Sequence, residues 1–237
     1  MFGVLEIGEA VLMSLRCSFL FAILALAVAC VPQAAATPLI AYDVPGDTVG
    51  NQVWSGSLGM DFNVIDPIVI EALGAFDSGQ DGISGTVTVA IYNRQTQQLV
   101  TPEVSFTGNA GTLIGGNRFQ DITPLTLAPG LYSIVAWGYN ALEPNGNLGC
   151  NPLNGGSCLG NSIVGSTLND GGGLIQFTGS ARYSGGTGFP GTLDGGPDNR
   201  YLAGTFQYNS AVPEPLTLGL CGAALLALGL LRRRFSA

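Results

Sequence analysis

The sequence predicts an all-β fold, an antiparallel β-sandwich of jelly-roll-like type, over residues 37–210. Three observations lead there. Several segments alternate apolar and polar residues with the period of two that a strand requires. Gly, Asn, Asp or Pro punctuates the chain between them, as turns demand. No stretch of this region carries a long amphipathic helical period, so sheet must pack on sheet.

The clearest strand is 86–93, where Val87, Val89 and Ile91 share one face and Thr86, Thr88 and Tyr92 the other. Residues 131–139 are apolar on both faces and read as a central strand. Ala128-Pro129-Gly130 precedes them as a turn, Pro presetting φ and Gly free to take a positive one. Further strands are expected at 52–62, 68–76, 99–106, 119–127, 174–183 and 201–208. Residues 140–173 are rich in Gly and Asn and read as a long irregular excursion. No internal repeat is evident.

The two ends differ from the middle. Arg16 precedes an apolar run from Ser18 to Cys30, followed by Val31-Pro32-Gln33-Ala34-Ala35-Ala36. A charged start, a short apolar stretch and small residues at Ala34 and Ala36 predict a signal peptide over 1–36, forming an N-terminal signal helix. Processing at Cys30, after Val28-Ala29, is the alternative. The tail 211–237 carries Pro213-Glu214-Pro215, an apolar segment 216–231 and Arg232-Arg233-Arg234. Sixteen residues of helix, 216–231, span about 24 Å. That is enough for a single transmembrane helix once the arginines snorkel. Basic residues stay cytoplasmic, so both ends independently predict that 37–210 is exported across the inner membrane.

Composition excludes several functions. The net charge is −8, with eight arginines, no lysine and no histidine. Thirteen carboxylates and four arginines fall within 37–210. Such a surface repels phosphate backbones, so no nucleic-acid partner is expected. Without histidine there is no Ser-His-Asp or Cys-His chemistry, and without lysine no Schiff base or P-loop. Paired carboxylates could still serve a glycan hydrolase, yet nothing in the sequence singles out a pair. No catalytic residue and no cofactor are assigned.

Three local features are candidate sites. Cys150 and Cys158, with seven residues between them, are expected to form a disulfide in an exported protein. Asp77-Ser78-Gly79-Gln80-Asp81-Gly82 resembles the first half of a calcium loop, with Asp77 and Asp81 as ligands. Its twelfth position is Thr88 rather than glutamate, and a polar hairpin loop is the alternative. Trp54, Trp137, Tyr92, Tyr139 and Tyr183 are aromatics that would stack on sugars if exposed, or pack in the core if not.

The tail, by Pro213-Glu214-Pro215, its short apolar helix and the arginine cluster, resembles the PEP-CTERM sorting signal of Gram-negative bacteria. That resemblance implies secretion by the general route, a membrane-anchored precursor, and cutting by an exosortase for delivery to the cell surface or outside. It also implies association with exopolysaccharide or biofilm. A plain tail anchor is the alternative. The middle resembles a β-sandwich domain recurrent among such exported proteins. The stretches that carry this are Ile70 to Asp77 with Asp81-Gly82, Thr112 to Phe119, Ile122 to Leu127 with Pro129 to Tyr132, and Gly195 to Phe206. The expected role is structural or adhesive and non-enzymatic, with a carbohydrate-binding module as the alternative.

Overall fold

Fifteen β-strands and two single 3₁₀ turns are laid down by the described residues, 37–154, 157–161 and 163–211, of the computed structural model. The expected signal helix and its Ala34 and Ala36 lie outside them. So do the expected transmembrane helix 216–231, Pro213, Glu214, Pro215 and Arg232 to Arg234.

In chain order the strands begin with β1 (Leu39–Ile40), β2 (Tyr42–Asp43), β3 (Leu58–Val64) and β4 (Ile68–Phe76). Next come β5 (Ile83–Asn93), β6 (Val104–Gly108), β7 (Thr112–Ile114) and β8 (Asn117–Leu127). Then follow β9 (Gly130–Trp137), β10 (Gly146–Asn147), β11 (Thr167–Leu168) and β12 (Ile175–Tyr183). The last are β13 (Thr192–Asp194), β14 (Tyr201–Leu202) and β15 (Gly204–Ser210).

Two antiparallel sheets carry the architecture. One runs β1-β15-β4-β8-β7, the other β13-β12-β3-β9-β5-β6. The chain crosses between them from β3 to β4, from β4 to β5, from β6 to β7 and from β8 to β9. Two small ribbons, β10-β14 and β11-β2, sit beside them. Everything belongs to one compact unit, Thr37–Val212.

Alternation decides which side chains enter the core. Met60, Phe62 and Val64 of β3 and Val87, Val89 and Ile91 of β5 are sealed on the inner face. They meet Phe206 and Tyr208 of β15, and the Phe62 and Phe206 rings are 4.7 Å apart. Each such side chain contributes about 1.5–3 kcal/mol by leaving water. In β4 the inward positions are Ile68 and Ile70 and then Leu73 and Ala75, a change of phase. The cause is a bulge: β15 pairs Tyr208 with Ile70 and Gln207 with Ala72, so Glu71 is the extra residue. One added residue flips every later side chain to the other face. Across β8 the register also slips, between Leu125 and Asp121, where Pro124 has no N–H to give a ladder.

The strand expectations fare unevenly. The segments at 68–76, 86–93, 119–127, 131–139 and 174–183 correspond to β4, β5, β8, β9 and β12. The central position of 131–139 is observed, β9 lying between β3 and β5. The segment at 52–62 is corrected to Leu58–Val64. Before it the chain runs so close to the Ser184 carbonyl that any Cβ on Gly56 would collide with that oxygen. The strand expected at 201–208 is broken at Ala203, so that β14 pairs with β10 while β15 joins the five-stranded sheet. Among its described residues the excursion 140–173 holds β10, β11 and one 3₁₀ turn.

Candidate functional site

Beside the edge of the six-stranded sheet lies a cleft of about 230 Å³, lined by Gln52, Trp54, Asn147, Tyr183, Asp194, Arg200 and Tyr201. Sequence places these residues far apart, and three pairings assemble them. Strand β13 brings Asp194 opposite Ala181 of β12, two residues before Tyr183. The ribbon β10-β14 sets Asn147 opposite Tyr201. Gln52 bridges both Asn145 and Cys158, which draws in the strip that leads to Trp54.

One wall is aromatic. The Trp54 and Tyr183 rings meet edge to face at 5.9 Å, and the Trp54 indole N–H donates to the Ser184 carbonyl at 3.1 Å. Both side chains are only partly buried, which leaves ring surface to the cleft.

The other wall is polar and tightly connected. The Arg200 guanidinium donates from Nε to Asn147 Oδ1 at 2.7 Å and from Nη1 to Asp194 Oδ1, and it lies 5.5 Å over the Tyr201 ring. The Tyr201 hydroxyl donates to Asp194 Oδ2. Burial alone would raise the Asp194 pKa. The Tyr201 hydroxyl, the Gly196 N–H and Arg200 outweigh it, so Asp194 sits below the usual carboxylate range. Burial, then the bond to Asp194, pushes the Tyr201 phenol well up, so it stays a hydroxyl. Gly196 is required for this geometry, because a Cβ there would overlap Arg200 Nη1.

Side-chain amides fix the base of the cleft. Asn51 accepts the Asn147 N–H at 2.8 Å and donates to the Asn147 carbonyl at 3.0 Å, imitating a strand neighbour. Asn145 and Asn147 both donate to Gln52 Oε1, at 3.0 and 2.7 Å. The disulfide supports this strip. Cys150 and Cys158 are bonded, their Cα atoms 5.6 Å apart, and Cys158 is the residue that bridges Gln52.

The two residues expected as calcium ligands stand in different surroundings. Asp77 is buried, Oδ2 accepting Arg118 Nε at 2.6 Å and Oδ1 accepting the Gly82 N–H at 3.2 Å. Asp81 is exposed. The loop amides of Ser78 and Ser84 are taken by Glu143, at 2.7 and 2.8 Å. Among the described residues, no group of three or more Cys, Asp or Glu side chains is arranged to hold a metal. A cation at Asp77 would have to displace the buried Arg118 guanidinium.

The candidate aromatics divide. Trp54 and Tyr183 reach the cleft. Tyr139 is fully buried, donating to the Ala203 carbonyl at 2.7 Å and accepting the Phe76 N–H at 3.1 Å. Tyr92 and Trp137 pack on the outer face of the six-stranded sheet beneath Phe189, whose ring is 6.1 Å from that of Tyr92. Arg182 covers the same ring at 5.5 Å while its Nε bonds both oxygens of the buried Asp61, which Arg94 also contacts. Sequence reading missed Gln52, Asn147, Asp194, Arg200 and Tyr201. The only signal for Arg200 and Tyr201 was their place in the Gly195 to Phe206 stretch, which Asp194 immediately precedes.

No protein-family model, curated protein or solved structure matches this chain.

Proposed function

We propose that this is an exported, non-enzymatic β-sandwich protein of the cell surface or extracellular matrix, which holds glycan through the Trp54–Tyr183 cleft. The signal peptide and the sorting tail read in the sequence supply the address. The precursor is anchored in the inner membrane by the helix 216–231 and released by an exosortase. The repeated crossings between the two sheets support a jelly-roll-like reading of the sandwich.

One observation carries the glycan reading: two partly exposed aromatic rings face a fixed set of amides and an arginine across a small open cleft. Sugar rings have an apolar C–H face that stacks on aromatics and a polar rim that needs hydrogen bonds. The polar wall is held before any ligand arrives, which lowers the ordering cost of binding. A hydrolase is less well supported. Asp61, Asp77 and Asp194 are each paired with arginine, and Glu143 accepts two main-chain N–H groups.

The test is sedimentation with the producing organism's own exopolysaccharide. The wild-type chain should co-sediment, and Trp54→Ala should lose at least about ten-fold in affinity, as removal of a stacking platform does. Equal sedimentation of both would dismiss the cleft. Mass spectrometry of surface-localised protein should show a C-terminus near Pro213-Glu214-Pro215. A peptide ending at Ala237 would dismiss the sorting reading.

A further inference from the structure

We infer, resting on the glycan reading above, that the cleft selects neutral sugars carrying an acetamido group over sugars with hydroxyls alone and over uronates. The warrant is which hydrogen-bonding atoms of the cleft remain free. Every charged or amide side-chain oxygen on the cleft lining is already engaged, and the unpaired Asn145 Oδ1 beneath it is buried. Gln52 Oε1 accepts two amide donors, and Asn147 Oδ1 accepts Arg200 Nε. Asp194 Oδ1 accepts Arg200 and the Gly196 N–H, and its Oδ2 accepts Tyr201.

The donors are not used up. Gln52 Nε2 and Arg200 Nη2 make no hydrogen bond among the described residues, and neither is sealed from solvent. Free donors on a lining whose side-chain carboxylate and amide oxygens are taken suit a carbonyl oxygen better than a hydroxyl, which must also place its own proton. The acetamido carbonyl is such an acceptor, and its methyl adds apolar surface for Trp54. The Tyr183 hydroxyl both gives and takes, so it can serve the acetamido N–H.

A uronate would also offer acceptors, and charge decides against it. Asp194 already neutralises Arg200 at 14 and 15% side-chain exposure, and the chain as a whole carries −8. A carboxylate entering the cleft meets a like charge nearby and a repelling field at range.

The experiment is titration calorimetry on the full chain in detergent with three tetrasaccharides: β-1,4-linked N-acetylglucosamine, cellotetraose and tetragalacturonate. The first two differ in the acetamido group alone. The acetamido tetramer should bind about ten-fold more tightly than cellotetraose, the value of one or two well-placed hydrogen bonds. Tetragalacturonate should bind most weakly. Gln52→Glu keeps the oxygen that Asn145 and Asn147 use and removes the free donor. It should erase the preference, so that the variant's two affinities for the neutral tetramers come within about two-fold of each other. Equal wild-type affinity for the two neutral tetramers overturns the inference, and this comparison needs no variant to fold. Tightest binding of tetragalacturonate overturns it too. In either case the glycan reading survives if Trp54→Ala weakens binding. No binding of any tetramer overturns the inference and leaves the glycan reading to the exopolysaccharide sedimentation.

Discussion

Between the two sheets, Phe62, Phe206 and Tyr208 are sealed among aliphatic side chains, and the long strands β3, β9 and β5 carry continuous ladders. Along residues 140–173 and 184–202 the strands β10, β11, β13 and β14 are two or three residues long. There Asn51, Asn145, Asn147 and Arg200 bond to one another and to main chain, and a disulfide closes a loop. The first region is stabilised by burial, the second by specific polar bonds and a cross-link. Burial is non-directional and tolerates any apolar side chain of the right size. Polar bonds fix particular atoms in particular places, which is what a recognition cleft needs.

The difference is testable by mutation on each side. Phe206→Ala should cost the most, about 3–5 kcal/mol, since a large aromatic leaves a cavity between both sheets. Urea denaturation of the variant would measure it, and a cost below about 1 kcal/mol would mean the inner layer is not the main source of stability.

Replacing Cys150 and Cys158 by serine should cost less, about 2.6 kcal/mol for a loop of this size. More telling is where the loss falls. Amide exchange should rise around Gln52 and Asn147 and stay unchanged in β3 and β9. Spread of the effect into the central strands would show that the two regions form a single cooperative unit.

A pH-dependent effect concerns Glu143. Burial first, then repulsion from Asp77 and Asp81, raises its pKa from 4.5 to about 7, against the lowering effect of the Ser78 and Ser84 N–H groups. The folded chain therefore holds a proton that the unfolded chain has lost. Stability should fall as pH rises from about 4.5 to about 7, and level off above that. Glu143→Gln should flatten this stretch of the curve in thermal melts from pH 4 to 8. An unchanged slope would place the titration elsewhere.

Much of the inner layer was legible beforehand. Val87, Val89 and Ile91 alternate without interruption, and a period of two has one physical solution when one side meets a core. The two-residue strands were not legible, because a pair such as Gly146–Asn147 carries no period at all. Nor was the break at Ala203, where Tyr201 to Tyr208 reads as one strand and is divided between two partners. Asp77 shows a partner that spacing does not reveal. Its spacing to Asp81 suggested a shared cation, but the guanidinium of Arg118 comes from a strand 41 residues away.

By itself, then, the sequence determined an all-β chain, its antiparallel character and most long strands, since alternation and turn residues act locally. It also determined that Cys150 and Cys158 were close enough in the chain to pair. Only the tertiary structure decided which aromatics reach solvent, which acids are spent on arginine, and which donors are left over in the cleft. Those depend on sheet crossings, a bulge at Glu71 and contacts spanning more than ninety residues, such as Asn51 with Asn147. Local patterns hold no record of such pairings, because the energy that selects them comes from atoms brought together only by folding.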